Sequence, residues 1–108
     1  MFLIVSKYLI PKGYSGITVF PFIVLKSKHY RYNKTIVNHE KIHIRQQLEL
    51  GIIPFYIWYF LDFLIKFIQY KDRSKAYKNI VFEREAYANE KDLDYLKKRS
   101  FWRFLNYL

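Results

Sequence analysis

Residues 51 to 70 read GIIPFYIWYFLDFLIKFIQY, and no other stretch of the chain limits the fold so strongly. The run is nearly long enough to cross a bilayer, but Pro54, Asp62 and Lys66 fall inside it, and a charge at membrane depth is costly. It is therefore read as a buried or interfacial helix, from Pro54, which suits a first helical turn, to Tyr70. A membrane span is the alternative. The aromatic part, Phe55 to Phe67, is expected to be core or docking surface rather than a cofactor box.

Ahead of this helix the chain reads as extended. FLIVSKYLI is an apolar run ended by Pro11 and Gly13, and GITVFPFIVLK is a second run rich in β-branched and aromatic residues. Pro21 inside the second run argues for an edge strand or a bulge. After the polar turn KSKHYRYNK the period changes. Thr35 is placed to cap a helix through IVNHEKIHIRQQLEL, which Gly51 stops. KDRSKAYK reads as a basic loop, and a third helix is expected from after Asn79 to about Lys98. The tail SFWRFLNYL carries enough aromatic surface to pack back on the body. These elements make one domain, residues 1–108, of class α+β: a small N-terminal antiparallel sheet followed by three helices.

The formal net charge is +10, from 19 Lys and Arg against 9 Asp and Glu. Such a balance suits solubility, nucleic acid or an anionic membrane surface. The basic residues are dispersed, with no run of five or six like charges, so a solvated basic surface is favoured and no specific nucleic-acid partner is expected. The start, MFLIVSKYLIPKGYSG, has no basic region before its apolar stretch and is broken by Lys7, unlike a signal peptide. A cytoplasmic protein is expected, with the inner membrane face as a possible contact surface. The chain has no cysteine, so any metal must take nitrogen or oxygen ligands.

Such ligands stand together at residues 38 to 47, NHEKIHIRQQ. His39-Glu40-Lys41-Ile42-His43 fits H-E-x-x-H. On a helix, residues four apart lie roughly 40° from one another about the axis and about 6 Å along it, so both imidazoles reach one Zn²⁺ from one face. Glu40 beside them is placed to take a proton from water and pass it to a leaving amine. A match by chance has a probability on the order of a few in a thousand. The bland alternative is two surface histidines with a glutamate partner. The metzincin continuation fails, because Gln46 and Glu49 stand where its glycine and third histidine belong, and His29 is read as exposed and structural.

The third helix offers carboxylates in FEREAYANE, and two histidines with one glutamate are a recognised catalytic zinc set. Here the sequence resembles the gluzincin metallopeptidases, which pair an H-E-x-x-H helix with a downstream helix carrying E-x-x-A-D or E-x-x-A-N. The whole chain is also similar to a group of small bacterial H-E-x-x-H proteins sharing H-E-x-I-H-x-R-Q-Q, an aromatic middle helix and F-E-R-E-A-Y. The resemblance implies a minimal zincin-like (gluzincin) domain in which a glutamate of the third helix is the third ligand. Glu83 and Glu85 both stand three residues before an alanine. Glu85 is favoured: it gives E-x-x-A-N in full, and it lies nearer the stripe of Phe82, Ala86, Asn89, Leu93 and Leu96. Asn89 would steady the ligand. For either glutamate the alternative is a solvated carboxylate paired with Arg84 or a nearby lysine.

The expected activity is hydrolysis of an amide bond in a peptide or protein substrate, with His39, His43 and Glu85 (or Glu83) holding Zn²⁺ and Glu40 as general base. An edge strand at Ile17 to Leu25 would bind an extended peptide by strand addition. Gln46 and Gln47 would hydrogen-bond near the site, and Tyr87 or another tyrosine would stabilise an oxyanion. The competing reading is a non-catalytic H-E-x-x-H scaffold with a structural metal or none, binding a partner or a membrane surface through its basic aromatic face. In a latent form the tail, Phe101 to Leu108, would cover the site.

Overall fold

The structure, a computed structural model, describes residues 2–10 and 14–108. Three short strands come first: β1 (Phe2–Val5), β2 (Gly16–Val19) and β3 (Phe22–Leu25), in the order β1-β3-β2. Pro21, with no N–H to donate, sits in the turn between β2 and β3, so the run expected as one edge strand is a hairpin. β3 is central and buried at Ile23, Val24 and Leu25, and β1 and β2 are the two edges. The sheet is α+β in setting, as expected, but mixed rather than antiparallel. β2 runs antiparallel to β3, whereas β1 runs parallel to it, with Phe2 opposite Phe22 and Val5 opposite Leu25. Residues 6–15 are too many for a tight hairpin, so no turn chemistry sets the direction of β1. The strand-ending roles read for Pro11 and Gly13 lie outside the described residues.

A 3₁₀ turn (Lys28–Tyr32) holds the exposed His29 and leads into α1 (Lys34–Leu50). Asn33, two residues before the expected Thr35, is the cap, its side chain accepting from the Ile36 N–H at 3.2 Å. Gly51 ends α1, donating its N–H to the Gln47 carbonyl at 2.8 Å with φ +88° and ψ 149°. α2 (Ile52–Tyr70) starts at once, with Pro54 in the first turn, where a missing N–H costs nothing.

Where a basic loop was expected, Asp72 caps a short helix, α3 (Arg73–Lys78), accepting from the Lys75 N–H at 3.0 Å, and Ala76 is buried against the body. The expected third helix is two pieces, α4 (Val81–Asn89) and α5 (Tyr95–Lys98). The break has a cause in α1. Asn38 donates its amide to the Glu90 and Asp92 carbonyls at 2.9 and 3.0 Å, binding the oxygens that a continuing helix would have used. Asp62 explains the charge in the apolar run: its carboxylate accepts the Val81 N–H at 2.8 Å, capping α4 from the side, and Lys66 pairs with it at 3.2 Å.

α1 lies between two small cores. On one side Ile44 packs on Ile23 and Leu25 of the sheet, and on the other Ile42 meets Ala86 and Tyr95. A third cluster joins Phe55 of α2 to Phe82 of α4 and Phe104 of the tail, with Phe82 and Phe104 ring centroids 5.1 Å apart. The tail thus packs back through Phe104, while Phe101 and Leu108 remain exposed. Among the described residues nothing covers the opposite face of α2, with Ile53 and Ile68 each 73% exposed. α2 is the one helix among the described residues long and apolar enough to cross a membrane.

Gly51 joins the histidine helix to α2 in a backbone conformation that residues with a Cβ rarely adopt. A Cβ there would meet only Pro54, at ordinary contact distance, so the cost of a side chain is conformational. Gly51→Ala is expected to lower stability by about 1–3 kcal/mol in urea unfolding, with secondary structure unchanged by circular dichroism.

Candidate metal centre

α1 turns His39 and His43 to the same side, where α4 crosses. The two Nε2 atoms lie 3.2 Å apart, and Glu83 Oε1 of α4 lies 3.0 Å from the first and 3.1 Å from the second. All three residues are buried. Bonds of about 2.0–2.1 Å to a four-coordinate zinc place neighbouring donor atoms about 3.3 Å apart. The nitrogen and oxygen triangle is close to that size, and its donor set suits zinc.

Each of the three groups is held from behind. His39 Nδ1 lies 3.3 Å from Glu90 Oε1. Tyr59 of α2 donates its hydroxyl to Glu83 Oε2 at 2.5 Å. Gln46 donates its amide N–H groups to the Phe82 carbonyl (3.1 Å) and Glu85 (2.9 Å), so its oxygen is left to accept from His43 Nδ1 at 2.8 Å. That bond puts the neutral ring's hydrogen on Nδ1 and leaves Nε2 facing Glu83, the tautomer a metal ligand needs. Glu40, next to His39, is 7% exposed and accepts from Thr18 Oγ1 of β2 at 2.5 Å.

The structure reverses the order of the two glutamates. Glu83 joins the histidines, and Glu85 does not. Glu85 accepts from Arg99 Nε at 2.5 Å, Arg99 Nη2 at 3.1 Å and the Tyr95 hydroxyl at 2.6 Å, a two-pronged ion pair fully out of water. The helical-phase reading leaned on Leu93 and Leu96, which lie beyond the end of α4. Both carboxylates are in fact buried, on different neighbours. The solvated-carboxylate alternative is excluded for both. Asn89 likewise sits away from the ligands, donating to the Glu85 carbonyl and the Tyr107 hydroxyl at 2.8 and 2.9 Å.

Three residues about the centre were not singled out from the sequence. Glu90 stands seven residues after Glu83, two helical turns on, and that spacing was a usable signal. Tyr59 and Thr18 had none, since their roles depend on where α2 and β2 dock. Gln46 orients His43 as expected, whereas Gln47 ties the sheet to α1 by donating to the Thr18 carbonyl at 2.8 Å and accepting the Phe20 N–H at 2.7 Å. Tyr87 packs its ring on His39 at 4.6 Å.

Two cavities flank Glu40. One, of about 390 Å³, is mostly apolar and reaches His43 and Glu83 between Ile17, Phe60 and Phe63. The other, of about 570 Å³, carries His39, Glu90 and Arg73. They share Tyr14, Gly16, Glu40 and Tyr77, and no residue of the tail lines either one.

Burial alone would lower the pKa of His43, but the Glu83 carboxylate outweighs it and lifts the imidazole to about 9. Glu83, which burial alone would push up, is held well below the usual carboxylate range by His43 and His39. In the metal-free protein His43 therefore keeps its proton until pH rises through about 9, and a metal must displace that proton. Zinc binding near pH 7 is expected to release about one proton per chain, and affinity is expected to rise with pH up to about 9, read by calorimetry in buffers of different ionisation enthalpy. Glu83→Gln should weaken zinc by more than the 10–100-fold that loss of an orienting partner costs, whereas Glu85→Gln should keep one zinc per chain. No family model matches this chain, and no match was found among curated proteins or solved structures.

Proposed function

We propose that this chain is a zinc-dependent metallopeptidase that hydrolyses an amide bond in a peptide or protein. The observation that carries the reading is the triangle of His39 Nε2, His43 Nε2 and Glu83 Oε1, with the Glu40 carboxylate beside it in the wall of a cleft. Zinc held by His39, His43 and Glu83 would supply Lewis acidity toward water and the scissile carbonyl.

The remaining work falls to the protein. Thr18 occupies one oxygen of Glu40 and leaves the other for the attacking water. Glu40 takes a proton as the water oxygen bonds to the carbonyl carbon, then delivers it to the amine nitrogen as the C–N bond breaks. Tyr77 lines both cavities, and burial together with Glu83 holds its hydroxyl protonated, so it is a donor for the developing oxyanion. A substrate laid along the edge strand β2 would cross Glu40, with an apolar side chain toward Ile17 and Phe60 and a polar one toward Arg73.

One observation favours the alternative, a non-catalytic scaffold with a structural metal or none. A protonated His43 paired with Glu83 satisfies the buried site without an ion. Elemental analysis of protein purified without added metal distinguishes the two. A hydrolase predicts about one zinc per chain, turnover of a mixed peptide pool, and a Glu40→Gln variant that keeps the zinc and loses turnover by at least about 10²-fold. Zinc without turnover, or neither, assigns the chain to the scaffold class.

A further inference from the structure

Among the described residues, none packs on the outer face of α2. With about 100° between successive residues, Ile53, Ile57, Leu61, Leu64, Ile65 and Ile68 fall within roughly 120° of one another. Each of them is 40% exposed or more. No charge of either sign interrupts this stripe. The two charged residues of the helix, Asp62 and Lys66, lie on the opposite face, where Asp62 holds the start of α4. The inner face of the helix thus carries the core aromatics Phe55, Trp58 and Phe63 together with its two charges, and the outer face turns the aliphatic stripe to the surroundings.

We infer that α2 is an in-plane membrane anchor: its aliphatic stripe sinks into an anionic lipid surface while its inner face stays on the protein. Charge argues for lipid over a second copy of the chain. Immediately after the stripe come Lys71, Arg73, Lys75 and Lys78, all exposed, against the single acidic Asp72. Anionic headgroups complement that segment, and the net charge of +10 adds to the attraction. A second copy would instead bring up a chain of the same net charge, +10, with its own basic segment beside the stripe.

The packing argues for a helix lying flat rather than crossing. Phe55, Tyr59 and Asp62 engage α4, and α3 packs on α2 as well, so a crossing helix would drag capped helix ends and a basic segment into hydrocarbon. A flat helix with an aliphatic face and basic residues at its border is the interfacial arrangement. Phe60, 59% exposed on this same face, also lines the apolar cavity that reaches Glu40, so docking sets the mouth of that cavity at the headgroup level.

The test uses the purified full chain. It should float with phosphatidylcholine vesicles containing about one third phosphatidylglycerol, and much less with phosphatidylcholine alone or at high salt. Leu61→Glu combined with Ile65→Glu, both at exposed positions, should reduce partitioning at least about tenfold with the helical spectrum unchanged. Failure of the wild type to float, or equal flotation of the double variant, overturns the inference. So does a dimer, seen by sedimentation, that the same substitutions dissolve without any vesicle binding, since the face would then belong to a second copy. Because the chain lacks cysteine, single cysteines at Ile53, Leu61 and Ile68 can carry a fluorophore read by lipid-borne quenchers. Equal shallow depths are expected along the helix, and a steady gradient of depth would mean a crossing helix and overturn the in-plane reading.

Discussion

The fold is organised around a helix that buries its polar face. Asn38, His39, Glu40, His43, Gln46 and Gln47 of α1 are all out of water, and in such surroundings each unpaired polar group costs about 1–3 kcal/mol. Their partners come from every other layer: Thr18 from β2, Glu83 and Glu85 from α4, and the carbonyls after α4 for Asn38. Tyr59 of α2 then completes Glu83. An ordinary small domain is held by apolar faces that tolerate sliding. Here directional bonds set the register of α1 against the sheet and against α4, and the positions of the two imidazoles and the carboxylate follow from that register.

Much of this was readable from the residues, and the failures have physical reasons. The H-E-x-x-H helix and its glycine stop depend on local spacing and backbone conformation, which sequence displays directly. The parallel pairing of β1 depends on a connection with no turn signal. The end of α4 depends on Asn38, fifty-odd residues earlier, taking carbonyls that a local reading assigns to the helix. The ranking of Glu85 over Glu83 failed for a related reason. Helical phase separates buried from exposed, but it does not separate two buried carboxylates facing different neighbours, and Arg99, which claims Glu85, gave no sign of its partner.

The same Arg99 shows how the outer layer supports the inner one. It spans Glu85 of α4 and Glu49 of α1, with 2.5 and 2.7 Å contacts, and Glu85 in turn accepts from the Gln46 amide that orients His43. A buried cation between two carboxylates is weak evidence for stability in itself, because desolvation offsets most of the attraction. Its geometric effect is plainer. Two helices that contribute to one centre are fixed at one separation, and the amide that sets a ring tautomer is fixed with them.

Asp62 and Tyr59 belong to one helix, one turn apart on the same side. One grips the first amide of α4 and the other grips the carboxylate two residues further on. These bonds make α2 a lever with a short arm. A tilt or roll of that helix, from whatever touches its outer surface, pulls directly on Glu83, and on β2 through the Tyr56 hydroxyl that donates to the Thr18 carbonyl, so the carboxylate's distance from the two rings is coupled to the setting of a helix that itself supplies no donor atom to the triangle.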